Sequence, residues 1–444
     1  MSKVQPRVLK GFRDYLPSKM IPRQKMLGSI ERTFQRFGFV PLMTPALEYL
    51  DILTGKYGDE GETLLYRFED QGNREVALRY DLTVPLARVV AQYAEITLPF
   101  RRYQIAPVWR AEKPARGRFR EFFQCDGDIV GSRDMVCDAE LVQLACELIS
   151  ALGVERFVVR LNNRKILSGL MAEVGVECGK PEMGVLRTID KLPKIGEEKT
   201  TALLREENGL DASQVEKIFR FLRIDGEALE ILDQVEPTFP EGSVGRKGCD
   251  ELREVFDILD AVGLGSTAAI DLSIARGLNY YTGTIYEAFL SDLPGYGAVM
   301  GGGRYDELIG VFKGKDIPGV GISLGIDRLL EGLVELKLLQ EARSVSRVLV
   351  SVFGRETAAY SVKVATILRS GGIGCELFPS YAKLGKQFRQ AERSGQRWVV
   401  VAGADEESKS EVGVKDLETG KQEAVALDGL VEYLAARLDV NAVE

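Results

Sequence analysis

The spacing of apolar residues predicts a mixed N-terminal part that contains both helices and strands. Residues 19–38 carry apolar side chains at helical spacing, and Gly38 follows as a stop. After a short strand pattern, Asp81 or Thr83 can cap a second helix that has Pro85 near its first turn. A helix and strand mixture of this kind predicts a domain with a sheet and packed helices.

Further along the chain the pattern changes twice. Residues of about 178–262 are polar and helical in spacing, which predicts a helical insertion, and strand patterns resume at Ala269 with an alternation at Ile270, Leu272 and Ile274. A charged helix is predicted over residues 331–344. From Val348 a strand, helix, strand, helix, strand order is typical of a small α/β domain with a parallel sheet. We therefore expect a large domain over 1–335 and a separate α/β domain over 345–444.

Length and composition fit a globular protein of two or three domains. The chain has 444 residues, of which 45% are hydrophobic and 28% charged. Neither a signal-peptide pattern nor an apolar run of membrane-spanning length is found, so we expect a cytoplasmic protein. The six cysteines form no CxxC pair, and we expect them to be reduced packing residues.

The net charge of −8 argues against indiscriminate binding of nucleic acid, so any site for a polyanion must be local. Residues 101–120 are the candidate, with seven basic residues and one acidic residue. A solvated basic loop would have the same composition.

The chain contains no histidine. This excludes Ser-His-Asp and Cys-His nucleophilic machinery, HExxH zinc sites and histidine general bases. Any reaction must run without an imidazole from the protein.

The segment 107–131 predicts two strands joined by a basic loop. Alternate residues of the second strand share a face, and the even positions are Arg118, Arg120, Phe122, Gln124, Asp126 and Asp128. A solvent-facing side would also be polar. A row that runs from cationic to acidic equally suits a ligand with phosphates at one end and an amine or ring N–H at the other.

Two other segments combine glycine with arginine or tyrosine. Gly301–Gly303 lacks a following GK[ST], so it is no P-loop, and we expect a tight turn or a place where a ligand lies against backbone. Residues 276–283, RGLNYYTG, are either a turn with two packing tyrosines or a site for a small ligand. Residues 318–333 predict a glycine-punctuated strand followed by a helix that carries Arg328 in its first turns.

Together these segments resemble the three motifs of class II aminoacyl-tRNA synthetases: 38-GFVPLMTP-45, the hairpin with 110-RAE-112 and 118-RFREF-122, and the strand and helix with Arg328. The peptides 276-RGLNYYTGTIYE-287 and 301-GGGRYDELIG-310 resemble the signature peptides of the histidyl-tRNA synthetase family, and 78-LRYDLTVPLAR-88 is also similar to it. Asn279 departs from the aspartate that is usual in the family.

The resemblance implies an α+β catalytic domain built on an antiparallel sheet flanked by helices, the class II synthetase fold, followed by an α/β anticodon-binding domain. It implies activation of L-histidine with ATP and Mg²⁺ and transfer of histidine to tRNA(His). It also implies a homodimer with the segment around Pro45 at the interface.

The resemblance assigns roles to individual positions. Arg276 and Arg110 would be catalytic, at the reacting carboxylate and α-phosphate. The histidine-binding residues would be Asp81, Thr83, Gln124, Asp128, Arg276, Tyr280 and Tyr281, and the ATP-binding residues would be Arg110, Glu112, Arg118, Phe122 and Arg328. No metal ligand is assigned.

Three other functions remain as alternatives. A synthetase-like regulatory subunit of histidine biosynthesis, without charging activity, would lack the C-terminal domain and degrade the signature peptide. A synthetase for proline, threonine or glycine would not account for RGLNYYTG beside Gln124 and Asp128. A binding module that has lost catalysis is disfavoured by the presence of Arg110, Glu112, Arg276 and Arg328.

Overall fold

The computed structural model describes residues 4–115, 117–275 and 280–438, with the side chains of residues 58–60 outside that description. The chain divides into two compact units, Met1–Arg13 with Met26–Leu339, and Asp14–Lys25 with Gln340–Glu444. Helix α1, Pro17–Arg36, has residues in both, and it ends before Gly38 as the sequence predicted.

The first half of the first unit is a mixture of strands and helices. In chain order they are β1 (Val40–Pro41), β2 (Leu47–Tyr49), α2 (Leu50–Leu53), α3 (Gly58–Thr63), β3 (Arg67–Glu69), β4 (Glu75–Leu78), α4 (Thr83–Gln92), β5 (Phe100–Trp109), β6 (Glu121–Val130), α5 (Met135–Ser150) and β7 (Phe157–Asn163).

The second half of this unit begins with helices. They are α6 (Arg164–Glu173), α7 (Lys180–Ile189), α8 (Leu192–Glu206), α9 (Ala212–Leu222), α10 (Ala228–Val235) and α11 (Val244–Ala261). Helices α7 to α11 lie within residues 178–262, the range for which the sequence predicts a helical insertion. Strands then return, with two helices among them. In chain order these elements are β8 (Ala268–Ile270), β9 (Thr284–Leu290), β10 (Met300–Arg304), α12 (Gly310–Lys313), β11 (Gly319–Gly325) and α13 (Ile326–Glu335).

Eight strands form the main sheet, in the order β1-β5-β6-β11-β10-β9-β7-β8. All neighbours from β5 to β7 are antiparallel, and only the edge pairs β1·β5 and β7·β8 are parallel. This confirms the expected fold class. A smaller antiparallel sheet has the order β2-β4-β3.

Helices α1 and α5 pack on one face of the main sheet. A Cβ at Gly127 would lie 2.4 Å from Cε1 of Phe34 in α1, and Arg304 contacts Asp138 of α5. Both sheet positions lie on the side opposite to the even-numbered residues of β6, because side chains alternate along a strand. The even-numbered face therefore remains for the site.

Two predicted elements of the first unit are shorter than expected. The strand at 270 ends at Ile270, because Asp271 Oδ1 accepts hydrogen bonds from the Ser273 N–H at 3.0 Å and its hydroxyl at 2.6 Å and closes a local turn. The charged helix predicted over 331–344 stops at Glu335.

The second unit is an α/β domain with a five-stranded sheet. Its elements are β12 (Val348–Val350), α14 (Arg355–Ser370), β13 (Cys375–Leu377), α15 (Leu384–Ser394), β14 (Trp398–Val401), α16 (Ala404–Lys409), β15 (Glu411–Asp416), β16 (Gln422–Ala426) and α17 (Leu430–Ala435). Strands β13, β12 and β14 are parallel, as predicted, and β15 and β16 extend the sheet in antiparallel fashion.

All six cysteines are free, and five are buried while Cys178 is exposed. Within the described ranges, no helix combines the length and the apolar character that crossing a membrane requires.

Candidate active site

The hairpin of β5 and β6 places the predicted polar row on one buried face. Arg102 pairs with Asp128, Gln104 with Asp126 and Ala106 with Gln124 in the antiparallel register. Gln124, Asp126 and Asp128 are 7%, 1% and 2% exposed. The row is thus no solvent-facing side of a hairpin. Buried polar groups of this kind require partners from the protein or from a ligand.

Strand β6 begins three residues after Arg118, the first residue of the predicted row. Arg118 and Arg120 precede β6, which starts at Glu121, so they belong to the loop rather than to the strand face. Arg120 donates from Nε to the Glu112 carbonyl at 3.0 Å and holds the loop against itself. The part of the predicted row that lies on the strand therefore runs from Phe122 to Asp128.

Glycines on the neighbouring strands leave room above this row. A Cβ at Gly321, which pairs with Asp128, would lie 2.0 Å from Asp128 Oδ1. A Cβ at Gly303, the next partner across the sheet, would lie 3.0 Å from a ring carbon of Tyr281. The cluster Gly301–Gly303 is therefore part of strand β10 rather than a turn. The missing side chain of Gly321 admits Asp128, and that of Gly303 admits Tyr281.

Asp128 is held by two groups that the protein itself supplies. Arg102 Nη2 lies 2.7 Å from Oδ2, and the Tyr305 hydroxyl donates to Oδ1 at 2.5 Å. Burial raises the pKa of Asp128, while Arg102 and Tyr305 oppose that rise. An ionised carboxylate has about four lone-pair positions, so both oxygens can still accept from a ligand.

Asp81 joins the start of α4 to Tyr280. Its Oδ1 accepts from the Tyr57 hydroxyl at 3.0 Å and from the Val84 N–H at 3.2 Å, and its Oδ2 accepts from the Tyr280 hydroxyl at 3.1 Å. Burial raises the pKa of Asp81, and these hydrogen bonds and Arg110 act in the other direction. The N-cap position of α4 is Leu82 rather than Asp81 or Thr83, and Asp81, one residue before it, bonds to the helix through the Val84 N–H.

The tyrosines form an aromatic cluster between Asp81 and Asp128. The rings of Tyr280 and Tyr281 are 5.0 Å apart, and those of Tyr280 and Tyr305 are 6.0 Å apart in an edge-to-face arrangement. Thr83 hydrogen-bonds to Tyr280. The structure thus brings Asp81, Thr83, Tyr280 and Tyr281 together, and Tyr305 connects them with Asp128.

Arg110 and Phe122 lie together at the other end of the row. The Arg110 guanidinium carbon is 5.2 Å from the centre of the Phe122 ring and 4.2 Å from that of Tyr80, and its Nε donates to the Tyr80 carbonyl at 3.2 Å. The two rings support a guanidinium by cation–π contact. A cation and an exposed part of an aromatic face suit a phosphate and a nucleobase.

The remaining predicted ATP residues lie near the hairpin loop. Arg118 and Glu112 form an ion pair at 3.6 Å. Arg328 donates to the Tyr296 carbonyl, and the Tyr296 hydroxyl donates to the Arg328 carbonyl at 2.8 Å. A Cβ at Gly117 would lie 3.5 Å from Arg328 Cγ, which puts Arg328 beside the loop. Arg276 and Asn279 lie outside the described residues.

Three site residues were missed by the sequence prediction. Asp126 was on the predicted face of the strand but was given no role. Its even position, shared with Gln124 and Asp128, was the signal that could have identified it. Tyr305 lies in the segment 301-GGGRYDELIG-310, and Tyr57 has no signal in its own sequence context. Both tyrosines are found only because their hydroxyls meet carboxylates of distant segments.

Comparison with known proteins assigns the family. A family model for histidyl-tRNA synthetase matches residues 11–329, and one for an anticodon-binding domain matches residues 347–437. A histidine–tRNA ligase of Rhodopirellula baltica is 43% identical over 98% of this chain and 99% of that protein, and one of Cytophaga hutchinsonii is 41% identical over 97% and 99%. The crystal structure of a histidyl-tRNA synthetase from Nostoc sp. PCC 7120 has a TM-score of 0.87 at 35% identity and covers 98% of this chain and 100% of its own. The chain, with its buried carboxylate row and paired tyrosines, therefore belongs to the histidyl-tRNA synthetase family.

Proposed function

We propose that this chain activates L-histidine with ATP, forming histidyl-adenylate and pyrophosphate, and then transfers the histidyl group to the 3′ end of tRNA(His). The observation that supports this most directly is one buried site with Arg110 and Phe122 at one end and Gln124, Asp128 and Tyr280 at the other. Family membership implies ATP as the nucleotide substrate.

The adenylation step suits a protein without imidazole. The histidine carboxylate attacks the α-phosphorus of ATP, a new O–P bond forms, and the bond to pyrophosphate breaks. The nucleophile is already ionised, so no general base is needed, and the protein supplies placement and charge stabilisation. We assign Arg110 to the α-phosphate and Arg276 to the carboxylate and the α-phosphate.

The acidic end of the site is assigned to histidine. Asp81, Thr83 and Gln124 hold the α-ammonium, and Asp128 with Tyr280 and Tyr281 lines the imidazole. A neutral imidazole offers one N–H and one lone pair, which a carboxylate and a phenol can satisfy together. An apolar analogue would leave these buried groups unpaired, and such sites discriminate by about 10⁴ or more.

The hairpin end is assigned to ATP. Phe122 stacks on adenine, Glu112 accepts from its amino group, and Arg118 and Arg328 meet the outer phosphates. In the structure Arg118 pairs with Glu112 and Arg328 with the Tyr296 carbonyl. Binding of ATP would exchange these contacts for phosphate and adenine.

Mg²⁺ is proposed to enter with ATP. The described residues contain no group of three or more His, Cys, Asp or Glu side chains arranged to hold a metal ion. An Mg²⁺ ion bound to phosphates needs only one or two carboxylates from a protein and keeps several waters, so the residues present fit a nucleotide-borne ion. When bound, it would neutralise charge on the phosphates.

The second unit is assigned to tRNA. We propose a catalytic domain over 1–335 and an anticodon-binding domain over 345–444, supported by the two family models. We also place the protein in the cytoplasm, where it would meet tRNA and ATP.

A homodimer is proposed through the segment around Pro45. Met43 is 72% exposed and Tyr49 is 55% exposed, and Val40 and Leu47 are also exposed. A groove of about 1040 Å³ is lined by Met43, Leu47 and Tyr49 of this set. Contiguous exposed apolar residues mark interaction surfaces, and Met43→Asp is expected to give a monomer in light scattering.

Pyrophosphate exchange with each of the twenty amino acids tests the function. We expect exchange with histidine alone, followed by charging of tRNA(His). Exchange with another amino acid and none with histidine would refute the specificity. Binding without exchange or charging would instead favour the regulatory-subunit alternative. Because the chain has no histidine, the imidazole signals of added histidine can be followed by NMR without protein background.

A further inference from the structure

Gln124, Asp126 and Ser323 form a contiguous polar group that the roles assigned above do not explain. Ser323 on β11 stands directly opposite Asp126 on β6, and both side chains lie on the site face of the sheet. Gln124 is two residues from Asp126 on the same face. Its Nε2 donates to Ser323 Oγ at 2.5 Å.

The donor and acceptor pattern of this group is directional. Ser323 Oγ accepts from the Gln124 amide N–H₂, so its own hydrogen is left to donate elsewhere. The Asp126 carboxylate stands directly opposite as the acceptor for that hydrogen, and Ser323 lowers the pKa of Asp126. A serine oxygen has one hydrogen and two lone pairs, so the carboxylate decides which way the hydroxyl points. The hydroxyl in turn decides which end of the amide faces it.

This arrangement leaves the amide oxygen of Gln124 available. Gln124 Oε1 and Asp126 Oδ1 are buried and have no hydrogen-bond partner among the residues that the structure describes. An unsatisfied buried acceptor destabilises the free protein, so the presence of these two oxygens points to a ligand that donates hydrogen bonds. With the amide reversed, the N–H₂ group would face the same space and would repel an ammonium.

We propose that Asp126, acting through Ser323, is a positioning residue that holds the Gln124 amide with its oxygen toward the histidine pocket. There the oxygen accepts a hydrogen bond from the α-ammonium of the substrate. This rests on the proposed function, which assigns Gln124 to that ammonium. Asp126 itself need not touch the substrate for the amide to be oriented.

A matched pair of substitutions isolates the hydroxyl. Ser323→Thr keeps the hydroxyl, and Ser323→Val has the shape of threonine without the hydroxyl. We expect Ser323→Val to raise the KM for histidine about fivefold, since one hydrogen bond contributes about 1 kcal/mol and 1.4 kcal/mol is a factor of ten. Ser323→Thr should raise it distinctly less, and the KM for ATP should move less than twofold in both.

Asp126→Ala tests the other end of the chain of hydrogen bonds. It should raise the KM for histidine about as much as Ser323→Val does, and the double variant should be no worse than either single variant. In a Gln124→Ala background, neither substitution should raise the KM for histidine further, because the group that both position is gone. Melting temperatures verify that each variant is folded.

The outcomes separate the inference from the function on which it rests. A wild-type chain without histidine-dependent exchange refutes the proposed function. A wild-type chain that exchanges, with Ser323→Val and Ser323→Thr equal in KM for histidine, overturns the positioning role alone. Full additivity with Gln124→Ala also overturns it, since Asp126 and Ser323 would then act independently of the amide.

Discussion

The Tyr305 hydroxyl donates to Asp128 Oδ1 at 2.5 Å, although the two residues come from segments separated by a whole strand. Asp128 lies on β6, Tyr305 directly follows β10, and β11 runs between them. The contact passes over Gly319 and Gly321, where a Cβ would lie 2.5 Å from the Tyr305 ring and 2.0 Å from Asp128 Oδ1. Two glycines on the intervening strand therefore allow the bond that orients the proposed imidazole-binding carboxylate.

Tyr305→Phe should weaken histidine binding while the fold is kept. The ring stays and one hydrogen bond to a charged group is lost, which is worth about 1.5–3 kcal/mol, so the KM for histidine should rise at least tenfold. Tyr305 lowers the pKa of Asp128, and the variant should lose affinity at a higher pH than the wild type as the solution is acidified. Exchange kinetics at several pH values measure both effects.

Tyr433→Phe is the matched control for this substitution. It also removes a tyrosine–carboxylate bond, at 2.7 Å to Glu423, but in the second unit and at the surface. Equal changes in the KM for histidine in the two variants would contradict a specific role of Tyr305.

Gly321→Ala should displace Asp128 and impair histidine recognition strongly. The added methyl group would meet the carboxylate and the Gly127 carbonyl, which lies 3.2 Å away, so a backbone atom limits the relief. Overpacking of this kind costs about 1–3 kcal/mol. We expect a lower melting temperature and a KM for histidine raised by about two orders of magnitude, against a Gly374→Ala control where nothing lies within 4 Å.

The sequence predicted which side chains of β6 share a face, but not which residues of other strands contact them. Period-two alternation places Gln124, Asp126 and Asp128 on one side whatever the topology, and the register bears this out. Which strand stands beside β6, and hence the contact with Tyr305, depends on long-range pairing that no local pattern encodes. The strand predicted to continue to Ile274 ends earlier for a local reason. The Asp271 side chain accepts a hydrogen bond from the Ser273 N–H and closes a turn there.

Asp126→Asn should stabilise the free protein at alkaline pH. Burial raises the pKa of Asp126 to about 7 from an ordinary value of 3.8, with Asp128 and Asp81 adding to the rise and Arg102 opposing it. The folded state thus holds a proton that the unfolded state releases, so stability falls as pH increases from about 4 to 7. Asparagine carries no such penalty, and the variant's advantage should grow from pH 5 to pH 8.

The pKa shift of Asp126 sets an upper limit on the gain in the free energy of unfolding of Asp126→Asn. One pKa unit corresponds to about 1.4 kcal/mol, so a gain of a few kcal/mol is the upper limit. Melting temperatures of both proteins across that pH range measure it. An advantage that is constant or shrinks with pH would mean that Asp126 stays ionised in the fold.

Arg276→Ala should slow adenylation far more than it weakens histidine binding. The proposed role places its charge where negative charge develops on the α-phosphate, and such groups contribute about 10²–10³ in rate. Single-turnover formation of adenylate gives the rate, and NMR of the substrate imidazole gives binding. Loss of binding alone would remove the transition-state role, and Arg133→Ala, at an exposed arginine, is the control.

Arg304→Met should destabilise the fold without acting through substrate. Arg304 is 1% exposed and pairs with the fully buried Asp138 and with the partly exposed Asp306. It also donates to the Ser132 carbonyl at 3.0 Å, so it ties β10 to α5 on the side of the sheet away from the site. Removing one partner leaves a buried charge uncompensated, which costs about 3–5 kcal/mol. The melting temperature should fall markedly, while the KM for histidine of the folded fraction stays near that of the wild type.

Arg160→Met is the matched control, because it breaks a half-exposed pair with Asp271 and should cost about 1 kcal/mol or less. If Arg304→Met left the melting temperature unchanged and abolished exchange, the arginine of the 301-GGGRYDELIG-310 peptide would serve the reaction rather than the fold.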